Sequence, residues 1–120
     1  MILVDTPVWI NHFRTGVVEL EALLNEYRVM VHPFVIGELS CGNLRSRNEV
    51  LALLRGLPQA RWPSDEEVLY FIEQHRLMGK GIGFVDAHLL ASAALTPAAL
   101  LWTRDKRLHT VALNLKLAYT

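Results

Sequence analysis

Residues 2–10 read ILVDTPVWI, and the order of residue types in this stretch decides the fold. Three apolar residues follow Met1 with no polar residue among them, the pattern of a short strand covered on both faces, as strands of a parallel sheet are. Asp5 ends the run. An Asp5 or Thr6 side chain can accept from the free N–H groups of a following helix, and Pro7 suits the first helical turn, where its missing N–H costs nothing. Val8, Trp9, Asn11, His12 and Phe13 carry that helix on to Gly16. A buried strand that passes at once into a helix is the opening half of a βαβ unit.

Outward from this stretch the same alternation recurs. Residues 17–25 place Leu20, Leu23 and Leu24 at helical spacing, and residues 28–32 (RVMVH) read as a second short strand. Pro33 opens a helix over PFVIGELSCGNL, and a leucine-rich helix spans 45–55 until Gly56 and Pro58 stop it. Ser64 with Glu67 three residues on is a capping box before an amphipathic helix. Residues 79–83 (GKGIG) form a joint, 84–95 an Ala-rich helix, and 99–102 a buried strand. Arg104 to Arg107 read as a charged loop or short turn, and residues 111–119 as an added edge strand. The expected architecture is α/β, a small parallel sheet flanked by helices, in one domain over residues 1–120.

Hydrophobic residues make up 52% of the 120-residue chain, a rich content for a small domain, so part of the apolar surface is expected to be covered by a partner. The formal net charge is zero, which argues against a broad basic footprint for duplex DNA and leaves a local patch as the means of holding nucleic acid. A lone Cys41 excludes a disulfide framework, fits a reducing cytoplasm and reads as a small buried filler. No targeting segment is visible, and the uncharged stretch 87–103 contains His88 and Pro97, so no membrane span is expected.

Four acids resist a bland explanation. Asp5 ends an apolar strand, Glu38 lies in VIGEL, Asp86 in GFVDAHLL, and Asp105 just past ALLWT. A carboxylate among apolar neighbours is costly unless it is paired or binds a cation. In open α/β sheets, ligands gather outside the carboxyl ends of the strands, where Asp5 and Asp105 would stand. Two carboxylates about 5 Å apart repel by about 3 kcal/mol at an effective dielectric of 20, so four in one crevice call for hard cations. Oxygen-only ligation suits one or two Mg²⁺ or Mn²⁺ ions, and a metal pair of that kind serves phosphodiester hydrolysis. Thr103 can orient a water or phosphate beside Asp105. Arg104, Lys106 and Arg107 flank that acid, and Lys80 sits in the glycine-rich joint, all four within reach of substrate phosphates.

Taken together, ILVDTPVWI, VIGEL, GIGFVDAHLLAS and LLWTRDKRL resemble the PIN domain, and closely the VapC-type toxins of bacterial toxin–antitoxin pairs. The segments occur in the family's order and run from residue 2 to about residue 108, nearly the whole chain. The resemblance implies a PIN-like fold with a central parallel sheet of four to five short strands flanked by helices. It implies a Mg²⁺- or Mn²⁺-dependent endoribonuclease acting on structured RNA such as tRNA or rRNA. Asp5, Glu38, Asp86 and Asp105 would be its acidic metal site, with Thr103 the accompanying hydroxyl. It further implies a homodimer blocked by a VapB-type antitoxin, whose tail would lie in an apolar groove and reach the acids. Trp9, Ile10, Phe13, Leu51, Leu53 and Leu54 are candidates for that groove or for a dimer face. One departure is Pro7, where many relatives carry Ser two residues after the first Asp, so a hydroxyl near the metal is absent from that position.

Two other readings stand beside the nuclease. One is a catalytically silent PIN-like binding module. The other is an Asp-based phosphotransfer or phosphatase domain, although a haloacid-type version wants a second Asp where Pro7 stands. GKGIG lacks the GK[ST] ending of a phosphate loop and follows a helix, so a hinge is the better reading. The five His residues show no metal-binding spacing, and His88 reads as packed or hydrogen-bonded.

Overall fold

The computed structural model describes all residues, 1–120. Strand β1 (Ile2–Val4) leads into helix α1 (Thr6–Thr15), followed by α2 (Val18–Asn25), β2 (Val29–Met30), α3 (Pro33–Ser40), α4 (Arg47–Gly56), α5 (Asp65–His75), α6 (Phe84–Leu95), β3 (Leu100–Trp102) and α7 (Lys106–Asn114). The sheet is parallel, in the order β2-β1-β3, with Ile2 opposite Val29 and Leu100, and Val4 opposite Trp102. Central β1 is buried on both faces, as its unbroken apolar run requires. Three strands form where four to five were expected. The outer positions are reduced to single bridges, Val31 with Gln59 and Leu101 with Ala118.

Several helices begin where a side chain can satisfy their free N–H groups, whereas α2 and α4 start without a side-chain cap. Asp5 accepts from the Thr6 N–H at the start of α1, and the Gly16 N–H closes that helix on the His12 carbonyl. The His32 ring accepts from the Phe34 N–H ahead of α3. Ser64 and Glu67 form the expected capping box on α5. The core is one cluster of 25 buried residues around β1, with a small satellite where Val68 of α5 meets Ala87 and Ala91 of α6.

Two expectations near the C-terminus are corrected. Arg104 to Arg107 are not simply a charged turn, because Asp105 caps α7 and accepts from the Leu108 N–H. Residues 111–114 belong to that helix instead of an edge strand, since Leu108, Val111 and Ala112 fall on one buried face. Helix α3 stops at Ser40, and Cys41, at its end, is exposed, not a buried filler. No helix is long and apolar enough to cross a membrane.

Candidate active site

The strand order places β2 on one side of β1 and β3 on the other, and the crevice for ligands in such sheets opens at that reversal, beyond the carboxyl ends of the strands. Asp5 stands there because it directly follows β1, and Thr103 because it directly follows β3. The Asp5 N–H continues the ladder to the Trp102 carbonyl at 2.9 Å. The Thr103 hydroxyl donates to Asp5 Oδ2 at 2.8 Å and accepts from the Asp105 N–H at 3.1 Å. The Thr6 N–H donates to Asp5 Oδ1 at 2.8 Å, so both oxygens of this buried carboxylate are held.

Glu38, Asp86 and Asp105 reach the crevice from three different helices. The Thr6 hydroxyl donates to Glu38 Oε1 at 2.6 Å, joining α1 to α3. The Gly83 N–H donates to Asp86 Oδ2 at 3.0 Å, and Asp105 Oδ1 caps α7. Each of the three acids is thus steadied through one oxygen. Glu38 Oε2, Asp86 Oδ1 and Asp105 Oδ2 are left without a protein donor.

The electrostatics link all four. Burial pushes the Asp5 carboxyl up, the charges of Asp86 and Glu38 push it further, and the Thr103 and Thr6 donors pull it back. Burial likewise raises Asp86, with Asp105 and Glu38 adding to the rise against the Gly83 N–H. The acids therefore face a common space. No three His, Cys, Asp or Glu side chains are gathered closely enough to hold a metal ion by themselves. Mg²⁺ does not require such a cage: it keeps several waters and takes one or two carboxylates plus substrate phosphates. The all-oxygen donor set, with three unengaged oxygens, fits a hard divalent cation.

Thr6, which the sequence offers only as a candidate helix cap, instead turns its hydroxyl to one of the four acids. Its neighbour Asp5 was the only signal, and the contact with Glu38 spans 32 positions. It supplies a hydroxyl to the site at the position next to Pro7. Lys80, Arg104, Lys106 and Arg107 are all exposed, and none forms an ion pair. His88 is buried, with Nε2 3.1 Å from Asp65 Oδ1, in keeping with a structural role.

Beside Glu38 a groove of about 580 Å³ runs between α1 and the end of α3, with Ile10, Phe13, Leu39 and Leu44 among its lining and Arg14 and Arg45 on its walls. Of the apolar residues expected to line a groove or dimer face, Ile10 and Phe13 do line it. Trp9, Leu51 and Leu54 are instead buried in the core, while Leu53 is exposed on α4.

The family model for the PIN domain matches residues 2–114. The chain is 49% identical over 108 residues to proteins named Ribonuclease VapC32 from two strains of Mycobacterium tuberculosis, CDC 1551 / Oshkosh and ATCC 25618 / H37Rv. That alignment covers 90% of this chain and 87% of each relative. The crystal structure of PAE2754 from Pyrobaculum aerophilum shares the fold, with a TM-score of 0.66 at 17% identity, over 98% of this chain and 87% of that one. This chain belongs to the PIN-domain family and is of the VapC type.

Proposed function

We propose that residues 1–120 act as one nuclease domain, a metal-dependent endoribonuclease that hydrolyses RNA phosphodiester bonds as the toxin of a VapBC-type pair. What supports this reading is the electrostatic coupling of four acids at α1, α3, α6 and α7: the charges of Asp86 and Glu38 help push the Asp5 carboxyl up, and those of Asp105 and Glu38 help push Asp86 up. The VapC32 relatives are named ribonucleases, which supports the same chemistry here.

The four acids are the proposed metal site, with Mg²⁺ or Mn²⁺ as one or two ions. When bound, such ions activate water and neutralise charge on the phosphate that is attacked. The chain's own residues do the positioning. Thr103 and Thr6 orient Asp5 and offset part of the upward push of its burial. Thr6 also fixes Glu38, and the Gly83 N–H fixes Asp86. Arg104, Lys106, Arg107 and Lys80 provide local positive charge for RNA phosphates, tRNA or rRNA being the expected targets.

The groove beside Glu38 is the proposed seat of a VapB-type antitoxin tail, whose basic residue would meet the acids. Exposed Leu69, Tyr70, Phe84 and Val85 offer apolar surface for a homodimer. A cytoplasmic location accords with these roles.

The test is cleavage of labelled tRNA and rRNA by purified protein with Mg²⁺ or Mn²⁺, alongside Asp86→Ala. Metal-dependent cleavage lost in the variant supports the reading, and equal cleavage by both overturns the site. The lack of three potential ligands gathered close enough to hold an ion favours one second reading, a binding module without catalysis. Calorimetric titration with Mn²⁺ separates the two, since a silent module shows no binding at millimolar metal.

A further inference from the structure

The loop that delivers Asp86 carries two glycines in the left-handed region, Gly79 at φ 72° and Gly81 at φ 79°. Their surroundings differ. Nothing lies within 4 Å of the place a Cβ would occupy on Gly79. On Gly81 the same atom would stand 2.5 Å from Arg107 Cδ, 2.9 Å from Nη1 and 3.1 Å from Nε. The Arg107 side chain therefore lies across the bare backbone of Gly81. Its guanidinium spans from α7, whose cap is Asp105, to the loop whose next turn holds Asp86 through Gly83.

This guanidinium has no protein partner. The arginines that hydrogen-bond within the chain are Arg28 and Arg47, and Arg28 alone forms an ion pair. A planar fork of N–H donors, resting on a bare glycine backbone with no protein acceptor and set between two acid-bearing elements, is suited to a bidentate grip on a phosphate. Lys80, Arg104 and Lys106 lack such a seat.

We propose that Gly81 is a positioning residue that seats Arg107 as an anchor for an RNA phosphate neighbouring the one cleaved. The inference rests on the nuclease reading above and names the residue that sets substrate register within it. A side chain at Gly81 has only the movable end of Arg107 to push aside, so Gly81→Ala should displace the anchor without disrupting the core. Gly79→Ala carries the same backbone penalty and touches nothing, which makes it the control for strain.

The experiment measures two things for Gly81→Ala, Gly79→Ala, Arg107→Ala and the Gly81→Ala/Arg107→Ala pair. One is cleavage of tRNA with Mg²⁺. The other is binding of a short fluorescein-labelled single-stranded RNA of mixed sequence, in an Asp5→Asn background that removes cleavage. Arg107→Ala and Gly81→Ala should each raise KM and Kd about tenfold, as expected for one lost charged phosphate contact, with kcat changed far less. Arg107→Ala should also lower the salt slope of binding by about 0.7. The pair should be no worse than Arg107→Ala alone, and Gly79→Ala should match the parent. Equal effects of the two glycine substitutions, or additive effects in the pair, overturn the proposal even if the parent cleaves RNA. Loss of binding in the same pattern from a parent that never cleaves supports the anchor while the nuclease reading falls.

Discussion

The Thr103 hydroxyl donates to Asp5 Oδ2 at 2.8 Å, so the residue after β3 holds the residue after β1 across 98 positions of chain. Thr103 Oγ1 in turn accepts from the Asp105 N–H, which ties a second acid to the pair. Thr103→Val keeps the shape and removes both contacts. It is expected to lower stability by about 1–2 kcal/mol in urea unfolding, because buried polar groups lose their partners. With its strongest side-chain donor gone, Asp5 should ionise at higher pH, moving the acid limb of the cleavage profile upward, while Thr103→Ser stays close to the parent.

Asp5→Asn separates activity from stability. Cleavage should be lost with the charge. Burial and the charges of Asp86 and Glu38 raise the Asp5 pKa above 3.8, so the folded protein takes up this proton more readily than the unfolded chain. In metal-free protein the carboxylate therefore weakens the fold as pH rises through the folded value. The variant should be more stable than the parent at neutral pH, and the gain should vanish below about pH 4, where the unfolded carboxyl is also protonated. Urea titrations in EDTA across that range test the sign.

Metal supply should reverse that penalty. Mg²⁺ or Mn²⁺ binding to the folded chain alone stabilises it by about 2.7 kcal/mol at a hundred times Kd, which a thermal melt detects as a higher Tm. The rise should shrink as pH falls and protons compete for Asp5 and Asp86. Asp86→Ala should blunt it, and EDTA should abolish cleavage in the parent.

The Thr6 hydroxyl on Glu38 Oε1 predicts a graded series. Thr6→Val should cut cleavage by about tenfold or more through loss of a charge-assisted hydrogen bond, and Thr6→Ser should recover most of it. Initial rates at saturating RNA make the comparison, because the effect belongs to placement of the acid and not to RNA affinity.

His32 sets an acid limit on the fold. Burial, with His88 nearby, lowers its pKa from 6.5 to about 4, and its ring accepts from the Phe34 N–H only while that nitrogen is unprotonated. The unfolded chain gains a proton below about pH 6.5 and the folded one does not until about pH 4. Stability from this group is full above that window and is lost as pH falls through it, by about 3 kcal/mol in all. His32→Asn retains a capping oxygen and should flatten the slope between those values in urea unfolding.

The legible parts of the fold were those written in neighbouring residues. The Asp5 cap, the Ser64–Glu67 box and the bounds of α6 at Phe84 and Leu95 follow from residue types within one helical turn. The end of the chain was ambiguous, because Val111, Leu113, Leu115 and Leu117 alternate as a strand does while Leu108, Val111 and Ala112 repeat as a helix does. Packing of the second set against the core decided for α7, and Lys116 at φ 60° turns the chain after it.

The sequence by itself determined that Asp5 ends a strand, that Asp86 and Asp105 stand at helix starts and that Glu38 lies within an apolar helix, and so which carboxylates were candidates for a metal. Only the tertiary structure decided which of their oxygens are held and which are open, that Thr6 serves Glu38, and that Arg107 rests on Gly81. Those pairings join residues brought together by the strand order β2-β1-β3, and contacts of that range leave no periodic trace along the chain.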